Sequence, residues 1–164
     1  MYDRFKEVYI NMHETLKGIY ALIIKVQEPI HFMFKRENVC LKPGIYVYIG
    51  SARGPGGVKA RVDRHRKPLK KIRWHIDNVT SSPHARVLGV VFASSPGPEC
   101  VLTPILEDLG FTHPIKGFGS SDCKLGCYSH FLRCNSEIIK CYDDVREAFK
   151  QSFLNDIRIV HFES

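Results

Sequence analysis

With 164 residues and 18.8 kDa, the chain has room for one ordinary domain and is short for two. Hydrophobic residues at 44%, with ten Phe and seven Tyr, are enough for a core, which argues against disorder as the default reading. No apolar run approaches the ~18 residues of a membrane span, and the N-terminus has no apolar signal segment, so the expected compartment is the cytoplasm. The net charge is +7. The stretch from Arg53 to Arg73 carries Arg53, Lys59, Arg61, Arg64, Arg66, Lys67, Lys70, Lys71 and Arg73 against Asp63 alone, so the whole excess sits there. A localised basic patch points to a polyanion, most simply a nucleic-acid backbone; a solvated helix face is the plainer alternative.

In chain order, residues 3–16 are expected as an irregular or weakly helical lead-in. Gly18 to Val26 is apolar and β-branched, hence a strand. Ile30 to Phe34 reads as an edge strand or part of a loop. Lys42-Pro43-Gly44 marks a turn into a second strand, Ile45 to Ile49. The Gly-rich run Gly50 to Gly57 opens a helix from about Val58 to Lys67, stopped by Pro68. Arg73 to Val79 is expected helical or a turn, and Arg86 to Ala93 a third strand. Pro98-Glu99 suits the first turn of a helix to Leu109, with Pro104 forcing a kink or a short first half. Lys116 to Ser129 is loop, Phe131 to Cys134 a short strand, Asp143 to Phe153 a helix and Ile157 to Phe162 a terminal strand. The sum is one α+β domain with a small, mainly antiparallel central sheet flanked by helices, its core at about 18–134 and an extension at 135–164.

On the helix at 58–67, Arg61 and His65 lie one turn apart on the edge of the Val58/Val62 stripe, while Lys59, Asp63 and Lys67 face away. An arginine at a core boundary suits a phosphate partly shielded from water; a structural ion pair is the equal alternative. Tyr20 and Tyr48 end Gly18-Ile19-Tyr20 and begin Tyr48-Ile49-Gly50. A tyrosine can hydrogen-bond water or phosphate and, once deprotonated, act as a base, although tyrosine is also an ordinary strand residue.

Together, Gly18-Ile19-Tyr20, Tyr48-Ile49-Gly50-Ser51-Ala52, Arg61-x-x-x-His65 and Glu99 resemble the GIY-YIG endonuclease superfamily. The run Tyr48 to Gly57, with Arg64-His65, Trp74-His75-Ile76-Asp77, Glu99-Cys100 and Gly117 to Cys123, resembles its branch of unknown function that is sometimes fused to endonuclease-III-like repair proteins. The resemblance implies a nuclease that hydrolyses phosphodiester bonds in DNA with Mg²⁺ or Mn²⁺, in repair or strand processing, with a repair protein as partner. It implies that Tyr20 and Tyr48 line the water or scissile phosphate, Arg61 stabilises phosphoryl charge, His65 orients or exchanges a proton, and Glu99 holds the metal. His75 and Asp77 extend the site or are structural. Arg53, Arg64, Lys67, Lys70, Lys71 and Arg73 are the candidate DNA contacts. The rival reading is a binding module that keeps the fold without turnover.

In the superfamily the two tripeptides lie closer together than Tyr20 and Tyr48 do, so residues 28–42 are expected as an insertion. The nearer match Gly44-Ile45-Tyr46 falls within one strand and cannot make the hairpin.

Of the six cysteines, Cys123, Cys127 and His130, with Cys100 or Cys134, offer ligand types that zinc accepts. The spacing is not the common C-x-x-C knuckle, and a zinc-stabilised interaction domain is the third reading. Thiols packed beneath the sheet are the favoured expectation, and a disulfide framework is disfavoured.

Overall fold

The computed structural model describes residues 16–95, 97–152 and 154–162. The lead-in expected at 3–16 therefore lies outside the described residues save for Leu16. Strand β1 (Gly18–Val26) forms the middle of the molecule. It pairs antiparallel with β4 (Gly44–Ala52) on one side and β5 (Ala85–Ser94) on the other. Strands β6 (Phe131–Cys134) and β7 (Arg158–His161) complete an antiparallel sheet of order β6-β4-β1-β5-β7.

The continuous apolar run in β1 reflects burial on both faces. Tyr20, Leu22, Ile24 and Val26 point to one face, with Tyr46, Tyr48, Phe92 and Phe131. That face is covered by α1 (Gly57–Arg66), the short α2 (Asp77–Thr80) and a hairpin of β2 (Ile30–Phe34) and β3 (Glu37–Leu41). Ile19, Ala21 and Ile23 point the other way, to α3 (Leu102–Asp108) and α4 (Ile138–Gln151). The architecture is α+β, a small antiparallel sheet between helices.

Residues 28–42 form the β2–β3 hairpin, and Phe34 packs on Phe118 at 5.3 Å and edge-on to His75 at 4.7 Å between ring centres. The tripeptide Gly44-Ile45-Tyr46 lies inside β4, as its position in one strand requires. The expected helix at 99–109 divides into a 3₁₀ turn, Glu99–Val101, and α3. Pro104 sits in the first turn of α3, where its missing N–H leaves no helical bond unmade. Helix α4 starts at Ile138, five residues before the expected Asp143, because Ile138 and Cys141 already join the core under the sheet. With β7 pairing to β5, the C-terminal stretch is part of the same sheet and core.

Asp77 is fully buried, and a carboxylate there needs compensation. Both its oxygens accept from the Arg64 guanidinium, each at 2.8 Å, and Oδ2 also accepts from the backbone N–H groups of Arg73 (2.8 Å) and Trp74 (3.0 Å). These bonds hold its carboxyl below the usual range although burial opposes them. They also fix the chain between α1 and α2. Lys70 Nζ closes the other end of that connection by donating to the carbonyls of Arg64, His65 and Lys67. Asp77→Ala should lower the unfolding free energy by about 3 kcal/mol in a urea melt, the low end for a buried pair because Arg64 keeps 21% of its side chain in water. A loss below about 1 kcal/mol would assign the pair no more than a surface contact's worth.

Candidate functional site

Register brings the two tripeptides together. Tyr20 lies directly opposite Gly50, and Leu22 opposite Tyr48, so Tyr20 and Tyr48 share one face as diagonal neighbours with ring centres 6.5 Å apart. Glycine at 50 is a steric requirement: a Cβ there would lie 2.5 Å from the Tyr20 hydroxyl. Gly119, at φ +76°, is required twice over, since its Cβ would also meet the Tyr48 ring at 2.9 Å.

Helix α1 lays His65 against both tyrosines, each ring pair at 5.7 Å, and the Tyr20 hydroxyl is hydrogen-bonded to His65 Nε2 at 2.8 Å. Burial first, and then the Lys70 charge, depress His65 to a pKa of about 3, so it is neutral at physiological pH. Its Nδ1 is buried without a partner among the described residues. Burial also raises both phenols, Tyr48 to about 12 with help from Glu99, and Tyr20 well above its ordinary value with help from Tyr48. Neither tyrosine is a phenolate at neutral pH. A resting deprotonated base, which the sequence left open, is not what this environment favours.

In front of these groups lies a cleft of about 430 Å³ lined by Tyr20, Tyr48, Gly50, Arg61 and Glu99. Arg73, Trp74, His75, Asp122 and His130 also line it. Four of the five candidate catalytic residues thus reach one cavity, and His65 stands behind Tyr20, fully buried. Trp74 is a platform: the Arg61 guanidinium lies 4.6 Å and that of Arg64 4.1 Å from its ring centre. The Asp77 bonds to the Trp74 backbone set that platform, and hence the direction of Arg61.

The loop after α3 closes the far wall. Ile49 N–H donates to the His130 carbonyl (2.9 Å), His130 N–H to that of Phe118 (2.9 Å), and Gly117 N–H to that of Tyr128 (2.7 Å). Gly119 N–H donates to His75 Nδ1 at 2.9 Å. His75 therefore both lines the cleft and braces its wall, whereas Asp77 is structural.

The donor set fits a hard divalent cation. The Glu99 carboxylate is only 25% exposed and faces His130 Nδ1 at 3.7 Å, and Asp122 supplies a second carboxylate to the same cavity. Mg²⁺ takes few protein ligands and keeps its waters, so one or two carboxylates at a cleft suffice.

One family model, Domain of unknown function DUF123, matches residues 19–152. The chain belongs to the DUF123 family. No curated protein and no solved structure matches it. The DUF123 match runs from β1 to the end of α4 and contains every residue lining the cleft. Among the described residues, no helix is long and apolar enough to cross a membrane.

Three candidate DNA contacts are already bonded within the protein. Arg53 donates to the Ser95 carbonyl at 2.7 Å and to that of Gly97; Arg64 is held by Asp77; Lys70 caps α1, and burial lowers it to about 8. Charge counting could not separate cations that fasten backbone from cations that face solvent. Lys67, Lys71 and Arg73 are exposed, and Arg73 borders the cleft. Trp74 and Asp122 escaped notice as site residues. The available signals were the single Trp inside a basic stretch for the first and, for the second, the run Gly117 to Cys123 that carries the resemblance but was given no site role.

The cysteines also depart from expectation. Two disulfides form where none was expected: Cys134–Cys141 between the end of β6 and the first turn of α4, and Cys100–Cys127 between the 3₁₀ turn and the loop before β6, pairings that no spacing rule reveals. Cys123 and Cys127 are half-buried on the loop beside the cleft and are not beneath the sheet.

Because the folded His65 pKa lies below its unfolded value near 6.5, its contribution to stability is full above that value and is lost as pH falls toward about 3. Thermal melts should therefore decline between those pH values, with His65→Gln flattening part of the slope. An unchanged slope in the variant would show that His65 is not held neutral.

Proposed function

We propose that the DUF123 cleft is the active site of a divalent-metal-dependent nuclease that hydrolyses phosphodiester bonds in DNA. The observation that carries this reading is the convergence of Arg61, Glu99, Tyr20 and Tyr48 on one cavity, with neutral His65 bonded behind Tyr20. Phosphodiester hydrolysis needs an oriented water, neutralised phosphoryl charge and help for the leaving oxygen. The resemblance to the GIY-YIG superfamily supports the same assignment.

Arg61, stacked on Trp74, donates its fork to the non-bridging oxygens of the scissile phosphate. Glu99 and Asp122 hold Mg²⁺ or Mn²⁺, which supplies Lewis-acid stabilisation of the developing charge. Tyr20 orients the attacking water. With both phenols protonated, its oxygen can take a proton from that water only in step with passing its own to His65 Nε2, 2.8 Å away. The depressed His65 pKa makes this transfer unfavourable without a nearby anion, and the bound phosphate lowers that cost. Tyr48 donates a hydrogen bond to the phosphate. Arg73, with Lys67 and Lys71, carries the flanking backbone. Repair or strand processing, alongside a repair protein, is the setting this chemistry suits.

The test is Mg²⁺- or Mn²⁺-dependent cleavage of labelled duplex, single-stranded, flap, abasic and branched DNA. Arg61→Ala and Glu99→Ala should each reduce cleavage by at least about 100-fold, the scale of one lost charge-stabilising group. Salt-sensitive binding without cleavage on any substrate would instead assign the cleft to a binding module.

A further inference from the structure

At one wall of the cleft, four metal-ligand side chains converge from two segments distant in sequence, two of them (Cys123 and His130) lining it. Cys100 lies on the 3₁₀ turn, Cys123 and Cys127 on the loop, and His130 just before β6. One ligand atom from each lies within 4.8 Å of all the others. Cys123 Sγ is 3.5 Å from Cys100 Sγ, and Cys100 and Cys127 are joined as a disulfide. His130 is 3% exposed, and its Nε2 is buried with no hydrogen-bond partner among the described residues.

That disulfide accounts for only two of these groups. It leaves the Cys123 thiol packed against a bonded sulfur and the His130 Nε2 orphaned, a burial that costs about 1–3 kcal/mol. One tetrahedral ion accounts for all four. Thiolates at the usual zinc distance of about 2.3 Å stand about 3.8 Å apart, so a set confined within 4.8 Å is already near ligating geometry. Sulfur donors select a soft or borderline metal over Mg²⁺.

We propose that Cys100, Cys123, Cys127 and His130 form a structural zinc(II) site. A thiol reductant supplies the two electrons that open the Cys100–Cys127 disulfide to two thiols; the three thiols then release their protons to solvent as the ion binds, so loading weakens toward low pH. His130 ligates through Nε2, and its Nδ1 faces Glu99 Oε1 at 3.7 Å, a carboxylate behind a metal-bound imidazole. Cys100 follows Glu99 directly and Cys123 follows Asp122. The ion therefore ties together the two segments that bring carboxylates to the cleft, and holds Glu99 from both its backbone and its side chain. The site is separate from the proposed catalytic metal, and its metal content reads nothing of cleavage, so either proposal can fail alone.

The full chain, purified under reductant and loaded with zinc(II), should retain one ion per chain after dialysis. Replacement by cobalt(II) should give the thiolate charge-transfer band and the intense visible bands of a tetrahedral site. Cys40→Ser, on β3 and outside the four-residue cluster, should keep the ion. Cys123→Ser should lose it, although that change leaves the Cys100–Cys127 pair intact. No stoichiometric zinc in reduced wild-type protein, together with no cobalt–thiolate band, would overturn the site. So would full retention in a folded Cys123→Ser protein. Should that variant not fold, the wild-type cobalt titration decides the question.

Discussion

A single carboxylate with no contact to water organises the cleft. Asp77 must be compensated where it lies, and its partners are the guanidinium of Arg64 and the two N–H groups entering α2. Those bonds determine where α1 ends, how the chain turns after Pro68, and where Trp74 presents its ring. Arg61, one turn before Arg64 on the same helix, lies against that ring and lines the cavity. A positively charged segment thus spends part of its charge on internal order and uses the rest at the site.

The sheet divides the labour. One face of β1 packs aliphatic side chains against α3 and α4, with no polar contribution to the cleft. The other face carries two protonated tyrosines and a neutral imidazole in a dry setting, where hydrogen bonds are strong and charge is disfavoured. The Tyr20–Gly50 opposition makes this possible, because only a glycine leaves space for the phenol. The hairpin at 30–41 closes over this face through Phe34 and Phe118, so the stretch between β1 and β4 is part of the wall that carries His75.

Much of the fold was legible because its signals are local. The apolar runs of β1, β4 and β5, the Gly-rich entry to α1 and Pro68 at its end each state their element in a few residues. The position of Arg61 and His65 on the edge of α1 also followed from helical spacing. What the sequence withheld depends on meetings between distant segments. Arg64 and Lys70 looked like free cations because their acceptors, Asp77 and the carbonyls ending α1, become partners only after the chain turns back. Asp122 and Trp74 belong to the cleft through loop closure. Cys100 joins Cys123, Cys127 and His130 because the 3₁₀ turn packs beside the loop, while Cys134, its competitor on paper, is taken by Cys141.

The proposed DNA-binding role of the cleft can be tested without relying on turnover. Backbone amide shifts of the isotope-labelled protein should be followed as a short duplex is added with calcium(II), which occupies oxygen sites without supporting efficient cleavage. The account predicts the largest changes at Gly50, Arg61, Arg73, Trp74 and Gly119, around the cavity, with the Trp74 indole N–H among them. Changes confined to α3 and α4 on the opposite face of the sheet, or no changes at all, would contradict it.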